Sequence, residues 1–356
     1  MKVLVAMSGG VDSSVAAALL KEAGHEVVGA TLKLWGGASD SGCCSVADVD
    51  DARRVAQLLG IDHHVFNYTE EFETHVVTPF VEGHARGTSP NPCIECNRRI
   101  KFGLLLDRCE RLGFDALATG HHARVVTGPD GPRLRRGADG AKDQSYVLAM
   151  LGPAELSRVV LPVGELTKAE VRSHARGLGL RIAGKPDSQD VCFIHSGAGR
   201  AEFLADRIEM HGAELVDASS GAVVGAVPAA ELVTVGQRRG LGAAPGGRRR
   251  FALAVDVPAR RITVGLAEQA VATRVVVGPP SWSGTGLAPG DRAVAQTSAH
   301  GVAAPCTWTG DAVVFDEPRP LVAAGQTVAL YDAADPDEVV GAAVSEGPRS
   351  PGAVPG

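Results

Sequence analysis

At 356 residues the chain is long for one domain and suits two or three; its 45% hydrophobic content is ample for buried cores, which must rest on Ala, Val and Leu because aromatics are only 4%. The formal net charge of −6 argues against nonspecific nucleic-acid binding but leaves room for a local basic face. No run approaches ~18 apolar residues, and the single N-terminal lysine with its short apolar run is no signal peptide, so a cytoplasmic protein with no membrane association and reduced thiols is expected.

Residues 3–6 read as a strand. The segment Met7-Ser8-Gly9-Gly10-Val11-Asp12-Ser13-Ser14 follows as a glycine turn opening a helix with apolar Val15, Ala18 and Leu19. Two glycines let the backbone curl and approach a ligand. The first-turn N–H groups of a helix have no internal partner and its dipole adds positive character, so the turn suits a phosphate or pyrophosphate. Ser8, Ser13 and Ser14 add hydroxyl donors, and Asp12 is a candidate oxygen ligand for Mg²⁺. A plainer reading has Asp12 capping the helix, but it leaves the serines unexplained. No Gly-Lys-Ser/Thr follows, so this is not a Walker loop. The octet resembles the PP-loop of the ATP pyrophosphatases, which implies that ATP is split between its α and β phosphates and that a substrate oxygen is adenylated.

Downstream, residues 27–33 are expected as a strand, 47–59 as a helix, 62–67 as a strand, 102–112 as a helix, and 116–119 as a strand ending at Gly120. Thr167 with Glu170 forms a capping box for a helix over 167–178. This alternation predicts an α/β, doubly wound parallel sheet with ligands at the carboxyl ends of its strands. Past Ile194 a helix over 200–211 gives way to Val-rich runs at 222–227, 251–257, 261–265, 274–277, 291–297, 312–315 and 327–331, with Pro279-Pro280 and Pro318-Arg319-Pro320 in loops between them. The expected division is a PP-loop catalytic domain over 1–196, a small β-rich central domain over 197–269, a C-terminal β-barrel over 270–346 and a disordered Gly/Pro-rich tail over 347–356.

The seven cysteines are an odd number for a disulfide framework. Cys93-Ile94-Glu95-Cys96 follows two prolines that hold the chain extended, and Cys96 lies near a helix start beside Arg98 and Arg99, conditions that favour thiolate. Cys192 lies in the polar run Lys185-Pro186-Asp187-Ser188-Gln189-Asp190 that leads into Phe193-Ile194. A zinc site would need more ligands than one CxxC supplies. Cys109 and Cys306 read as buried and inert, Cys43-Cys44 has no assigned role, and Cys96 with Cys192 reads as a reactive pair. Basic groupings recur at Arg98/Arg99/Lys101, Arg133/Arg135/Arg136, Arg238/Arg239, Arg248–Arg250 and Arg260/Arg261, which keeps a polyanionic partner in view.

The PP-loop, the Asn91-Pro92-Cys93 run ending in Cys96-Asn97 and Lys101-Phe102, Thr119-Gly120-His121, Lys142-Asp143-Gln144-Ser145-Tyr146, the Asp187-Ser188 to Cys192-Phe193-Ile194 run, and Gly236-Gln237-Arg238-Arg239-Gly240 occur together. In this the chain resembles the tRNA-specific 2-thiouridylases over about residues 1–345. The resemblance implies that ATP adenylates the C2 carbonyl of the wobble uridine in tRNAs for Lys, Glu and Gln. It implies that Cys192 carries a persulfide received from a sulfur carrier or cysteine desulfurase. It also implies that Cys96 resolves this persulfide and ends in a disulfide with Cys192. Ala6, Met7, Ser8, Gly9, Gly10, Val11, Asp12, Ser13, Leu32 and Gly120 align with nucleotide contacts, Leu32 through its backbone or an apolar contact to adenine. Asn91, Pro92 and Cys93 match the segment that touches the target base; His121, Lys142, Asp143, Gln144 and Gln326 match tRNA contacts. The β modules would clamp the tRNA body, the central one as an adaptor.

Some family members carry Asp where this chain has Cys93, so a set of Cys93, Cys96 and Cys192 arises that would suit a [4Fe–4S] cluster with one open iron. The segment Ala295–His300 lacks the basic-aromatic character expected of a tRNA contact and carries no assignment. A PP-loop ligase or amidotransferase acting on a small metabolite would need neither Cys96 nor Cys192, and a non-enzymatic RNA-binding module would not need the PP-loop.

Overall fold

The computed structural model describes residues 1–35, 46–187, 191–194 and 199–348; Cys43, Cys44, residues 188–190 of the Cys192 run and the expected tail from 349 onward lie outside the described residues. The first strands are β1 (Lys2–Ala6), β2 (Glu26–Lys33), β3 (Asp62–Asn67) and β4 (Ala116–Ala118), followed by β5 (Ala123–Gly128), β6 (Gly131–Arg136) and β7 (Val159–Val160). Five of them form a parallel sheet in the order β3-β2-β1-β4-β7. Strand β1 is apolar throughout its centre because both its faces are covered. Val3 and Val5 point to one side and meet Val11 and Val15 of helix α1 (Val11–Glu22) and Val55 of helix α2 (Val46–Leu59). Leu4 points to the other and meets a core with Phe72, Ile100, Phe102 and Leu105. This is the two-residue period of a strand buried on both sides. The order reverses at β1, between β2 and β4, so the crevice beyond its carboxyl end is where a ligand belongs.

The second sheet contains β8 (Ala213–Asp217), β9 (Val223–Val227), β10 (Phe251–Asp256) and β11 (Arg261–Gly265) in the order β10-β11-β8-β9. The third contains β12 (Val271–Val276), β13 (Ser281–Trp282), β14 (Arg292–Gln296), β15 (Ala304–Trp308), β16 (Ala312–Pro320), β17 (Thr327–Asp332) and β18 (Glu338–Val344). Its order is β12-β16-β15-β14-β17-β18-β6-β5, so a hairpin from the N-terminal half completes it. Arg135 grips Asp335 with its two terminal guanidinium nitrogens, at 2.7 and 3.0 Å, beside that junction. Among the described residues no pairing joins β12 to β5, and no helix is long and apolar enough to cross a membrane.

Two expectations need correction. Pro318-Arg319-Pro320 is the end of β16, not a loop: Arg319 and Pro320 pair with Ala272 and Val271 across a register shift. Strand β15 pairs with β16 only as far as Phe315, so the prolines sit on a local edge where missing N–H groups cost nothing. The helix expected over 200–211 is Gly199–Ala205. His211 is drawn instead to Glu231, which accepts from both its backbone N–H and its ring Nδ1.

Glu231 also ties the first sheet's layer to the second. Buried His84, on helix Thr78–Ala85, donates from Nδ1 to the Glu231 carbonyl at 3.2 Å. Burial, with the nearby Arg200 charge, pushes the His84 pKa down to about 4. A histidine held neutral in the fold but free to protonate when unfolded favours unfolding as pH drops. Stability is therefore full above the unfolded value near 6.5 and is lost as pH falls toward 4, by roughly 3 kcal/mol at the lower end. Urea titrations between these limits should show His84→Gln losing less stability than wild type on acidification; equal losses would place the sensitivity elsewhere.

Candidate active site

The turn after β1 is braced from within. Met7 N–H still bonds Ala30 O of β2 at 2.8 Å, Ser8 N–H donates to Ser13 Oγ at 3.2 Å, and Ser13 and Ser14 hydroxyls donate to Gly10 O at 3.3 and 2.9 Å. Gly10, not Asp12, is the N-cap of α1, and no side chain caps the helix. Its amide end is thus left for a ligand, as an anion site requires. Gly9 has φ 70° and lies so close to α2 that a Cβ would collide with the Asp48 carbonyl. Gly120, after β4, packs on the same turn, and a Cβ there would strike the Ser13 amide nitrogen. Gly120→Ala should therefore displace the first turn of α1 and raise the Kd for ATP by about 10-fold or more, read by calorimetric titration; an unchanged Kd would show that the turn does not hold the nucleotide.

A cavity of about 560 Å³ opens over this turn. Ala6, Met7, Ser8, Gly10, Val11, Asp12, Ser13, Leu32 and Gly120 line it, as do Pro92, Cys93, Cys96, His121, Lys142, Asp143, Gln144 and Cys192. Three expected residues do not. Gly9 faces α2. Asn91 caps helix Pro92–Glu95, its Oδ1 accepting from Cys93 and Ile94 N–H at 3.0 and 3.4 Å. Gln326 donates from Nε2 to the Ser89 carbonyl, at the root of the Asn91–Cys93 segment.

The helix begun by Asn91 continues as a π-helical segment, Cys96–Leu105, and then Leu106–Arg111. Such segments mark functional sites more often than ordinary helix. Cys93 and Cys96 are three residues apart and so share one side of a helical turn; Cys93 is exposed and Cys96 buried. Half-buried Cys192 enters the same cavity from the short stretch 191–194. Its neighbour Phe193 is 1% exposed and anchors that stretch among Phe72, Phe80, Phe203 and Trp35, with ring centroids 5.1–6.1 Å away. Among the described residues, no group of three or more His, Cys, Asp or Glu side chains is arranged to hold a metal ion. Cys93, Cys96 and Cys192 therefore do not form a ready ligand set for a cluster.

The cavity floor is a network of charges. Lys168 Nζ reaches both Asp12 oxygens, at 2.8 and 2.7 Å, and Asp187 Oδ1 at 2.8 Å. His122 Nε2 lies 3.2 Å from Asp12 Oδ1. Burial alone would raise the Asp12 pKa, but the bonds from His122 and Lys168 hold it below the usual carboxylate value. Burial likewise opposes ionisation of Asp187, and Lys142 and Lys168 overcome it, bringing its pKa down to about 2. Lys185 reaches Gly9 O at 3.1 Å, Asp48 at 2.7 Å and Asp51 at 3.0 Å, tying the glycine turn to α2. Both Asp12 oxygens accept from Lys168, so a magnesium ion bound by Asp12 would share that carboxylate with the ammonium.

Other expected contacts have internal partners as well. His121 Nδ1 is 2.7 Å from Thr119 Oγ1, and burial keeps its ring well below the usual histidine pKa, hence neutral. Asp143 accepts from Arg136 at 2.7 Å and from Ser145 Oγ at 2.8 Å, and Gln144 accepts from His122 N–H at 2.8 Å. Sequence reasoning missed His122, Lys168 and Lys185 on the cavity wall. The capping box at Thr167, which forms as expected, was the signal available for Lys168, the first residue of the helix it starts. Ala299 and His300, left unassigned for want of basic-aromatic character, also line the cavity.

A family model described as the tRNA methyl transferase HUP domain matches residues 1–196. Over nearly its whole length the chain is similar to curated proteins. It is 46% identical to the tRNA-specific 2-thiouridylase MnmA of Salinispora arenicola, covering 93% of this chain and 94% of that protein. It is 45% identical to the protein of the same name from Acidothermus cellulolyticus, over 93% and 94% of the two chains. For the Mycobacterium tuberculosis protein the identity is 44%, over 98% and 97%.

Proposed function

The chain belongs to the tRNA-specific 2-thiouridylase family, and from that premise we propose that it uses ATP to convert the wobble uridine of tRNAs for Lys, Glu and Gln to 2-thiouridine. The observation that carries this reading is one cavity lined both by the uncapped amide end of α1 and by Cys96 and Cys192. A small-molecule ligase would use the first and have no need of the second.

The steps follow from the chemistry of the groups present. ATP lies with its phosphates against the α1 amides, and a base extruded from the anticodon loop enters beside Pro92 and Cys93. The uridine C2 oxygen attacks the α phosphorus; the new P–O bond replaces the bond to the β phosphate, and pyrophosphate leaves with its Mg²⁺. Lys168, held on Asp12 at the start of α1, is the ammonium assigned to this leaving charge. The terminal sulfur of a Cys192 persulfide, loaded by a sulfur carrier or cysteine desulfurase, then adds to C2, and the C2–O bond breaks to release AMP. The Cys96 thiolate attacks the Cys192 sulfur and the original S–S bond breaks, leaving sulfur on the base. The two electrons that reduce the transferred sulfur come from the two cysteines, which finish as a disulfide; an external dithiol must reset them.

Unmodified tRNA-Glu incubated with the protein, Mg-ATP and a persulfide donor should yield 2-thiouridine by nucleoside mass analysis, with one AMP per thiolated base. AMP formation without any thiolated nucleoside would overturn the reading.

A further inference from the structure

A second cleft, open and about 690 Å³ in volume, lies away from the catalytic cavity, lined by Arg200, Leu232, Gln237, Arg238, Arg239 and Phe251. We propose that it is an RNA-backbone subsite: Arg200, Arg238 and Arg239 hold phosphodiesters of nucleotides flanking the target uridine. This rests on tRNA being the substrate and adds a contact to it.

Three observations converge. First, the turn carrying Arg238 and Arg239 is preorganised. Gly236 and Gly240 supply its φ values of 85° and 79°. Gly236 N–H bonds Ala252 O at 2.8 Å, and Gln237 braces the turn by accepting from Thr234 N–H at 3.2 Å and donating to Arg239 O at 2.9 Å. Second, the guanidinium groups lack counter-ions among the described residues. Among the described residues Arg238 and Arg239 are exposed and have no side-chain acceptor, while Arg200 donates only to the neutral Leu232 carbonyl, at 2.9 Å. Elsewhere in this acidic chain Arg248, Arg274 and Arg292 are each paired with a carboxylate. Unpaired guanidinium forks suit phosphate oxygens. Third, the turn is joined to the base-binding segment. Thr234 Oγ1 accepts from Ser89 Oγ at 3.3 Å, Ser89 N–H donates to Ala324 O at 2.7 Å, and Gly325 lies against Pro90. Ser89 precedes Cys93 on the catalytic wall by four residues, at most roughly 14 Å of chain. A strand whose base occupies the catalytic cavity passes the Ser89–Cys93 segment to which this turn is bonded, so phosphates flanking the base can extend toward the arginines. This continuity with the base pocket favours RNA over an acidic protein surface. The half-buried Phe251 and Leu232 give the cleft an apolar floor for sugar edges.

The test uses the full chain carrying Arg238→Gln and Arg239→Gln, an anticodon stem–loop RNA of tRNA-Glu, and Kd measured from about 50 to about 200 mM KCl. The double variant should bind RNA at least about 10-fold more weakly at the lower salt. Its log K against log salt slope should be shallower by about 1.4, two contacts at about 0.7 each on a single strand. Its Kd for ATP, which reports the fold of the catalytic layer, should stay at the wild-type value, and Lys at both positions should restore most of the salt slope. Wild-type RNA affinity and slope in the variant would overturn the subsite while leaving the thiolation reading intact. Retained RNA affinity with lost sulfur uptake from the donor would overturn it in favour of a protein partner. Absence of RNA binding by the wild-type chain would overturn both readings.

Discussion

Cys192→Ser protein should cleave ATP to AMP when tRNA is present and yet form no 2-thiouridine, a loss greater than about 10³-fold, the scale seen when a covalent nucleophile is removed. In the proposed reaction the adenylation half draws on the α1 amide end, Lys168 and the glycine turn, none of which depends on the Cys192 sulfur. The sulfur half cannot proceed, because a serine hydroxyl holds no persulfide. The adenylated base is left to water, so AMP appears and uridine is regenerated. Cys96→Ser should behave differently. The persulfide still loads and adds to C2, but nothing cleaves the remaining S–S bond, and the tRNA stays covalently attached through Cys192 until an added thiol releases thiolated product. Intact-mass analysis distinguishes the two variants in one experiment. A Cys192→Ser enzyme that still thiolates would show that sulfur arrives by another route, and free product from Cys96→Ser without added thiol would remove Cys96 from the resolving role.

The catalytic layer was readable because its signals are local. A Gly-Gly pair that must turn sharply after an apolar strand announces the turn from β1 into α1, and β3, Asp62–Asn67, lies where its residue types place it. Thr167 and Glu170 announce their helix equally well, the Glu170 carboxylate accepting from Thr167 N–H at 2.7 Å. What was not readable depends on distant partners. The hairpin β5–β6 joins the third sheet through Val339↔Leu134, a pairing of segments about 200 residues apart that no local pattern encodes. Pro318 and Pro320 read as breakers because the sequence does not disclose that β15 ends short and leaves them an edge. Lys168 and Asp187 are ordinary surface types in sequence, and only the fold turns them onto Asp12. His300 reaches the cavity from the segment between β14 and β15, far along the chain from the glycine turn, so its relevance is a tertiary fact.

Lys168 is the residue whose loss should cost most among those the sequence did not single out. Its ammonium is nearly buried and bridges Asp12 at the start of α1 to Asp187, five residues before Cys192. Lys168→Met removes an ammonium held at the start of α1, where the proposed reaction places the departing pyrophosphate, and should lower the tRNA-dependent rate of AMP formation by about 10²–10³-fold, the cost typical of deleting one preorganised electrostatic donor. It also leaves two carboxylates facing each other without their shared counter-ion. The sign of the pH dependence follows from Asp187. Its folded pKa of about 2 lies below its ordinary value of 3.8, so the stabilisation it receives is complete above that ordinary value and disappears as pH falls toward 2. The stability gap between wild type and Lys168→Met should therefore be constant near neutrality and close on acidification through that window. Lys168→Arg, which keeps the charge but cannot place it as a compact point between the two carboxylates, should recover most of the stability and little of the rate. A Lys168→Met enzyme with wild-type AMP formation would show that the bridge is structural only, and that the α1 amides with Mg-ATP carry the leaving charge unaided.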